Sequence, residues 1–197
     1  MPPETRLIAF DTSAAHCAAA LLLGDRIVTR VDEMAKGQAE HLMPMLEEML
    51  RAEGLGWADL DAIGVGIGPG NFTGIRISVA AARGLSLGLG KPAIGVSGFA
   101  ARAEGVQFPV TATISAPRGM QYVQDFETAA ESTPALVPAT DPLRFFATPE
   151  KPAAELIAAV ARIAASRLGS DEPRPAPLYV RPADAAPPRE AAPVILP

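Results

Sequence analysis

One stretch constrains this chain more than any other: Ala62 to Leu89, AIGVGIGPGNFTGIRISVAAARGLSLGL. The apolar run Ile63–Ile67 predicts a buried strand. Gly68-Pro69-Gly70-Asn71 then breaks it with a loop that uses glycine's freedom and proline's fixed φ. From Phe72 the pattern is helical, with Asn71 or Thr73 available as the N-cap oxygen. Strand, glycine loop and helix in that order bring several backbone N–H groups and a helix N-terminus to one point. Two readings follow: an anion cradle, or a tight connection whose glycines let the helix pack closely on the sheet.

Known phosphate motifs do not fit the loop. No lysine follows the glycines, and no G-x-G-x-x-G register exists between Gly64 and Gly74. Gly84-Leu-Ser86-Leu-Gly88 matches the nucleophile-elbow pattern, but it falls inside the helix, and both histidines precede it, the wrong order for that hydrolase fold. Along the helix, Ile75, Val79, Ala82 and Leu89 line one flank, and Ile77, Ala81, Gly84 and Leu85 the other. A helix apolar on two flanks is covered on two flanks.

With 49% hydrophobic residues among 197, the chain can bury a real core, aliphatic because aromatics are only 5%. A formal charge of −5 argues against charge-driven nucleic-acid binding. The single cysteine, Cys17, excludes an internal disulfide and suits a reducing compartment. The N-terminus carries no signal-peptide pattern and no run reaches membrane-spanning length, so a cytoplasmic protein is expected.

Leu7–Phe10, Cys17–Leu23 and Arg26–Glu33 predict three sequential antiparallel strands, the last two joined at Gly24-Asp25. A first helix is expected over Gln38–Glu53, with Leu42, Met45, Leu46, Met49 and Leu50 at helical spacing and Pro44 near its first turn or at a kink. A short helical turn is expected over 57–60, a strand over Pro92–Val96 and a short helix to Ala103. Pro109–Ser115 and Met120–Phe126 predict a hairpin. Residues 127–152 show little pattern, Ala153–Leu168 is an alanine-rich amphipathic helix, and 169–197 is proline-rich.

Three spaced segments together resemble the TsaB (YeaZ) family: LIAFDTS, GIGPGNFTGIRISVAAARGL and the late PLYVRPADA, with GQAEHLMPML fitting the family's first-helix segment. The motif loop comprises Asp11, Gly68, Pro69, Gly70, Thr73, Gly74 and Arg76. The resemblance implies an α/β actin/Hsp70/sugar-kinase-like (ASKHA) fold of two lobes. The expected division is residues 1–104, a reduced lobe at 105–183 and a proline-rich tail at 184–197. It also implies a non-catalytic subunit in tRNA N6-threonylcarbamoyladenosine synthesis. Its expected partners are a TsaD-like catalytic subunit and a TsaE-like ATPase, with tRNA met only indirectly and two copies pairing in isolation.

The residues agree with a loss of catalysis. The only histidines, His16 and His41, are far apart and make no H-x-x-x-H pair; a turn residue and a surface helix residue are expected. Asp11 fits the first acidic position of an actin-like ATPase, but Ser115-Ala116-Pro117 stands where the family has Asp-Ala-Arg. No metal and no cofactor is therefore expected, and ATP should bind no tighter than about millimolar. The alternative is an ATPase or kinase using Asp11 and the Gly68–Gly70 loop. Partner contact is expected on the first two helices, through Leu42, Met45, Leu46, Met49, Ile75, Ser78, Val79 and Ala82.

Overall fold

The computed structural model describes residues 4–128 and 130–180. The expected tail at 184–197, and the RPADA part of the late motif, lie outside the described residues. The first sheet has five strands in the order β3-β2-β1-β4-β5. β1 (Arg6–Asp11), β2 (His16–Leu23) and β3 (Arg26–Glu33) form an antiparallel meander, and β4 (Ala62–Gly66) and β5 (Ala93–Val96) add in parallel. The parallel pairs require crossovers. α1 (Gln38–Ala52) lies between β3 and β4, and α2 (Phe72–Leu89) between β4 and β5.

Strand alternation divides the core into two layers. Ile8, Phe10, Cys17, Ala19 and Leu21 face α1 and α2, whereas Leu7, Ala9, Ala18, Ala20 and Leu22 face the opposite side. That second face is covered by α4 (Ala153–Ser166), expected from the sequence in the second lobe. The reason is steric. Ala159, Ala161 and Ala164 are fully buried on alanine-rich strands, and a Cβ at Gly64 would stand only 3.0 Å from that of Ala164. Bulkier side chains would prevent that approach.

α3 (Gly98–Ala103), capped by Ser97 Oγ accepting from the Ala100 N–H, supports a second sheet through Phe99. That sheet pairs β6 (Val110–Ala116) with β7 (Met120–Glu127), as the hairpin pattern predicts. Two strands not expected from the sequence, β8 (Ala130–Glu131) and β9 (Ala135–Pro138), also pair with β7. They are too short to show a period of two, so register comes from β7 rather than from their own residues. The Arg162 guanidinium of α4 grips the Glu104 carboxylate at 2.5 and 2.9 Å, and Lys151 Nζ donates to the Ala101 carbonyl at 3.3 Å. Both contacts fasten α3 to the α4 layer.

His41 is more engaged than a surface residue: its Nε2 lies 2.6 Å from Asp32 Oδ2, beside the Arg30 guanidinium. The hydrogen bond from Arg30, and then that from His41, hold the Asp32 carboxyl below its ordinary value of 3.8, while burial opposes them. A carboxyl whose folded-state pKa is depressed contributes stability above its unfolded value and loses it as the pH falls through the folded one. Urea midpoints should therefore fall as the pH drops below about 4, and Asp32→Asn should flatten that fall. An unchanged acid limb in Asp32→Asn would show that other carboxylates control it.

Candidate functional site: the glycine loop, its cleft and the outer face of α2

The loop between β4 and α2 presses against the turn that joins β1 to β2. A Cβ on Gly74 would overlap the Thr12 carbonyl oxygen, and one on Gly70 would overlap the Ser13 carbonyl. Hydrogen bonds seal the contact: Asn71 N–H donates to the Ser13 carbonyl at 2.7 Å and Thr12 Oγ1 to the Gly74 carbonyl at 2.7 Å. Asn71 is the N-cap of α2, its side chain accepting from Gly74 N–H at 2.9 Å and its carbonyl from Ile75 N–H at 2.9 Å. The N–H groups of Asn71, Gly74 and Ile75 are thus consumed internally. Of the two readings of the loop, close packing accounts for Gly70 and Gly74.

Asp11 ends β1 beneath this loop. Its Oδ1 accepts from Ser13 N–H and Ser13 Oγ, both at 2.7 Å, and His16 Nε2 lies 3.9 Å away. His16 is the first residue of β2 rather than a turn residue, because its backbone is already paired opposite Glu33. A Cβ on Gly66 would overlap the Asp11 carboxylate, so glycine there makes room for it. Asp11→Ala should fold but lose at least about 1.5–3 kcal/mol, the worth of one hydrogen bond to a charged group, since two to its carboxylate disappear. A melting midpoint equal to the parent's would refute that role.

Asp11 opens into a cleft of about 560 Å³ between the two sheets, lined also by His16, Arg102, Ser115, Tyr122 and Lys151. Burial lowers the Arg102 pKa, with Asp11 and Glu150 opposing the shift. Its Nη1 donates to the Gly98 carbonyl at 3.2 Å. Ser115, exposed at this rim, supplies no carboxylate opposite Asp11. Among the described residues, no three His, Cys, Asp or Glu side chains converge to hold a metal ion.

Cys17 is buried against α1, and desolvation, followed by the charges of Asp32 and Asp11, pushes its thiol up to about 11 from 9.0. Two units reduce the thiolate about a hundredfold. Native protein should react with a thiol-specific disulfide reagent at least that much more slowly than denatured protein; equal rates would place Cys17 at the surface.

The motif arginine has a partner that sequence reading missed. Arg76 stacks on Phe72 at 3.7 Å, and its Nε donates to the Tyr179 hydroxyl at 2.8 Å. Tyr179 also meets Phe72, ring centroids 5.3 Å apart, and Leu178 N–H donates to the Ile67 carbonyl at 2.8 Å. The glycine-loop motif and the late Pro177-Leu-Tyr-Val180 segment are therefore one physical unit. Only their shared unusualness signalled this; 103 residues separate Arg76 from Tyr179.

The eight residues expected to touch a partner lie inside. Leu42, Met45, Leu46, Met49, Ile75, Ser78, Val79 and Ala82 are all buried, none more than 6% exposed. The helical pattern identifies an apolar face without saying which layer covers it; here the chain's own first sheet does. The outward face of α2 is instead the other flank. Thr73, Arg76, Ala80, Gly84 and Gly88 are exposed, Ile77 and Ala81 half-buried, and Leu87 is 82% exposed. Cβ atoms on Gly84 or Gly88 would meet nothing within 4 Å. No helix among the described residues is long and apolar enough to cross a membrane.

Residues 32–173 match the family model for TsaD, tRNA N6-adenosine threonylcarbamoyltransferase. Among curated proteins, the chain is similar to the tRNA threonylcarbamoyladenosine biosynthesis protein TsaB of Haemophilus influenzae, 39% identical over 100 residues, covering 50% of this chain and 42% of that protein. TsaB of Escherichia coli is 32% identical over 127 residues, covering 62% and 55%. The chain thus spans about half the length of the curated relatives it matches. The solved structure of YeaZ from Pseudomonas aeruginosa superposes with a TM-score of 0.70 at 26% identity, over 89% of this chain and 99% of that one. The α/β class expected from the motifs agrees with that superposition and with the mixed first sheet covered by helices on both faces. The chain belongs to the TsaD family, tRNA N6-adenosine threonylcarbamoyltransferase, and is a homologue of the TsaB (YeaZ) proteins.

Proposed function

We propose that this chain is a non-catalytic subunit of the machinery that makes threonylcarbamoyladenosine in tRNA, and that it docks a TsaD-like catalytic subunit through the outward face of α2. One observation carries the docking surface. Gly84 sits in the interior of α2, about 1 kcal/mol less favourable than alanine, and Gly88 in its last turn, yet neither has a neighbour that requires it. Glycine on an open helix face permits a second helix to approach closely, and Leu87, 82% exposed beside it, supplies an apolar anchor.

In this reading the reduced second lobe serves to brace the first, Asp11 holds a turn rather than a metal-nucleotide, and tRNA is met only through the partner. A TsaE-like ATPase joins the assembly, and two copies pair through the same face when the partner is absent. The rival reading, an ATPase built on Asp11, is disfavoured by the Ser13 hydrogen bonds that occupy its Oδ1 and by Ser115 across the cleft. Co-expression with a TsaD-like chain of the same organism should give a stable complex on size exclusion, and depletion should abolish the modified nucleoside in tRNA digests. Modification that persists without this chain, or two proteins that elute separately, would refute the proposal.

A further inference from the structure

The chain is acidic overall, yet three arginines from three segments meet at a crevice of about 510 Å³ by the N-terminal end of β5. Arg83 comes from α2, Arg167 from the C-terminal end of α4 and Arg174 from the extended segment that follows. Among the described residues none of the three forms an ion pair, unlike Arg26, Arg30, Arg144 and Arg162. Arg167 Nη1 donates to the Gly95 carbonyl at 3.2 Å. Arg83 Nε is buried and has no hydrogen-bond partner among the described residues.

The charge balance points the same way. α2 ends at Gly90 and α4 at Arg167, and each helix C-terminus contributes about half a negative charge. Glu172, the one acid lining the crevice, adds another, its carboxylate accepting from Ser170 Oγ at 3.2 Å. Three guanidinium groups exceed this by about one unit. Guanidinium forks match phosphate oxygens, and three of them supply more donors than a single phosphate can use. The volume would hold roughly fifteen waters, and Leu87, Pro92 and Ile94 form an apolar wall beside the charges.

We propose that this crevice binds a small ligand carrying two adjoining phosphate groups, with its organic portion against the apolar wall. The site is separate from the inter-sheet cleft, which lies beyond the other end of β5. Titration calorimetry on the full chain alone, with inorganic pyrophosphate at low salt, tests it without reference to partner docking. Pyrophosphate should bind with a Kd below about 1 mM, at least tenfold more tightly than inorganic phosphate. Arg83→Gln and Arg174→Gln should each weaken it about tenfold or more, the loss of a charge-assisted hydrogen bond. Arg174 is exposed, so its variant remains informative if Arg83→Gln unfolds. Absence of binding at about 10 mM, far weaker than this donor set can provide, would overturn the proposal. So would binding undiminished in Arg174→Gln, which would locate the anion elsewhere. A short RNA duplex that binds while pyrophosphate does not would also overturn it, marking a nucleic-acid surface instead.

Discussion

Ala82→Glu should leave this protein unable to fold. Ala82 is fully buried among the residues that join α2 to the first sheet, on the side of the helix opposite Gly84. A glutamate there must bury an unpaired carboxylate or push α2 off the sheet. Either route costs several kcal/mol, and the added volume adds about 1–3 kcal/mol of overpacking. Against a typical reserve of about 5–15 kcal/mol, the variant should be largely insoluble or lack a cooperative melting transition. Ala82→Ser, which adds one small polar atom, should remain folded with a lower midpoint. A soluble Ala82→Glu protein with the parent's melting profile would show that this flank of α2 is not covered by the sheet.

Leu87→Glu should do the reverse. The side chain is 82% exposed, so the isolated chain should melt within about 1 °C of the parent, as surface substitutions usually do. If the outward face of α2 meets a TsaD-like subunit, the same charge is buried unpaired in the complex. That costs several kcal/mol, more than about a hundredfold in affinity. Gly84→Ala sharpens the test because its two effects have opposite signs. The new methyl meets nothing within the chain, so helix propensity should stabilise the monomer by up to about 1 kcal/mol. Across a close helix contact it should weaken the complex. Melting curves and size exclusion with the partner read both quantities; a Leu87→Glu chain that still binds with parental affinity would move the interface off α2.

The strand–loop–helix order of Ala62–Leu89 was legible because each transition carries local chemistry: a β-rich run, a glycine-proline break, an N-cap asparagine. The first three strands, both long helices of the first block and the 110–127 hairpin were legible for the same reason, since period and turn residues act over a few positions. β8 and β9 were not, because strands of two and four residues have no period to show. The motif residues Asp11, Gly74 and Arg76 were visible as a pattern, but their physical roles were not. Gly74 is glycine because the Thr12 carbonyl sits where its Cβ would be, and Arg76 is held by Phe72 and Tyr179.

What the amino-acid sequence alone determined was which residues form each element and that α2 is apolar on two flanks. Which flank faces inward was decided only by tertiary structure. Hydrophobic burial is non-directional, so Ile75, Val79 and Ala82 on one side and Ile77, Ala81 and Gly84 on the other looked alike in the sequence. The first sheet selected the side that fits its own surface, and left Gly84 and Leu87 facing outward. The return of α4 to the first sheet has the same origin. Its alanine face is complementary to the alanines of β1 and β2, a match between segments more than a hundred residues apart that no local pattern contains.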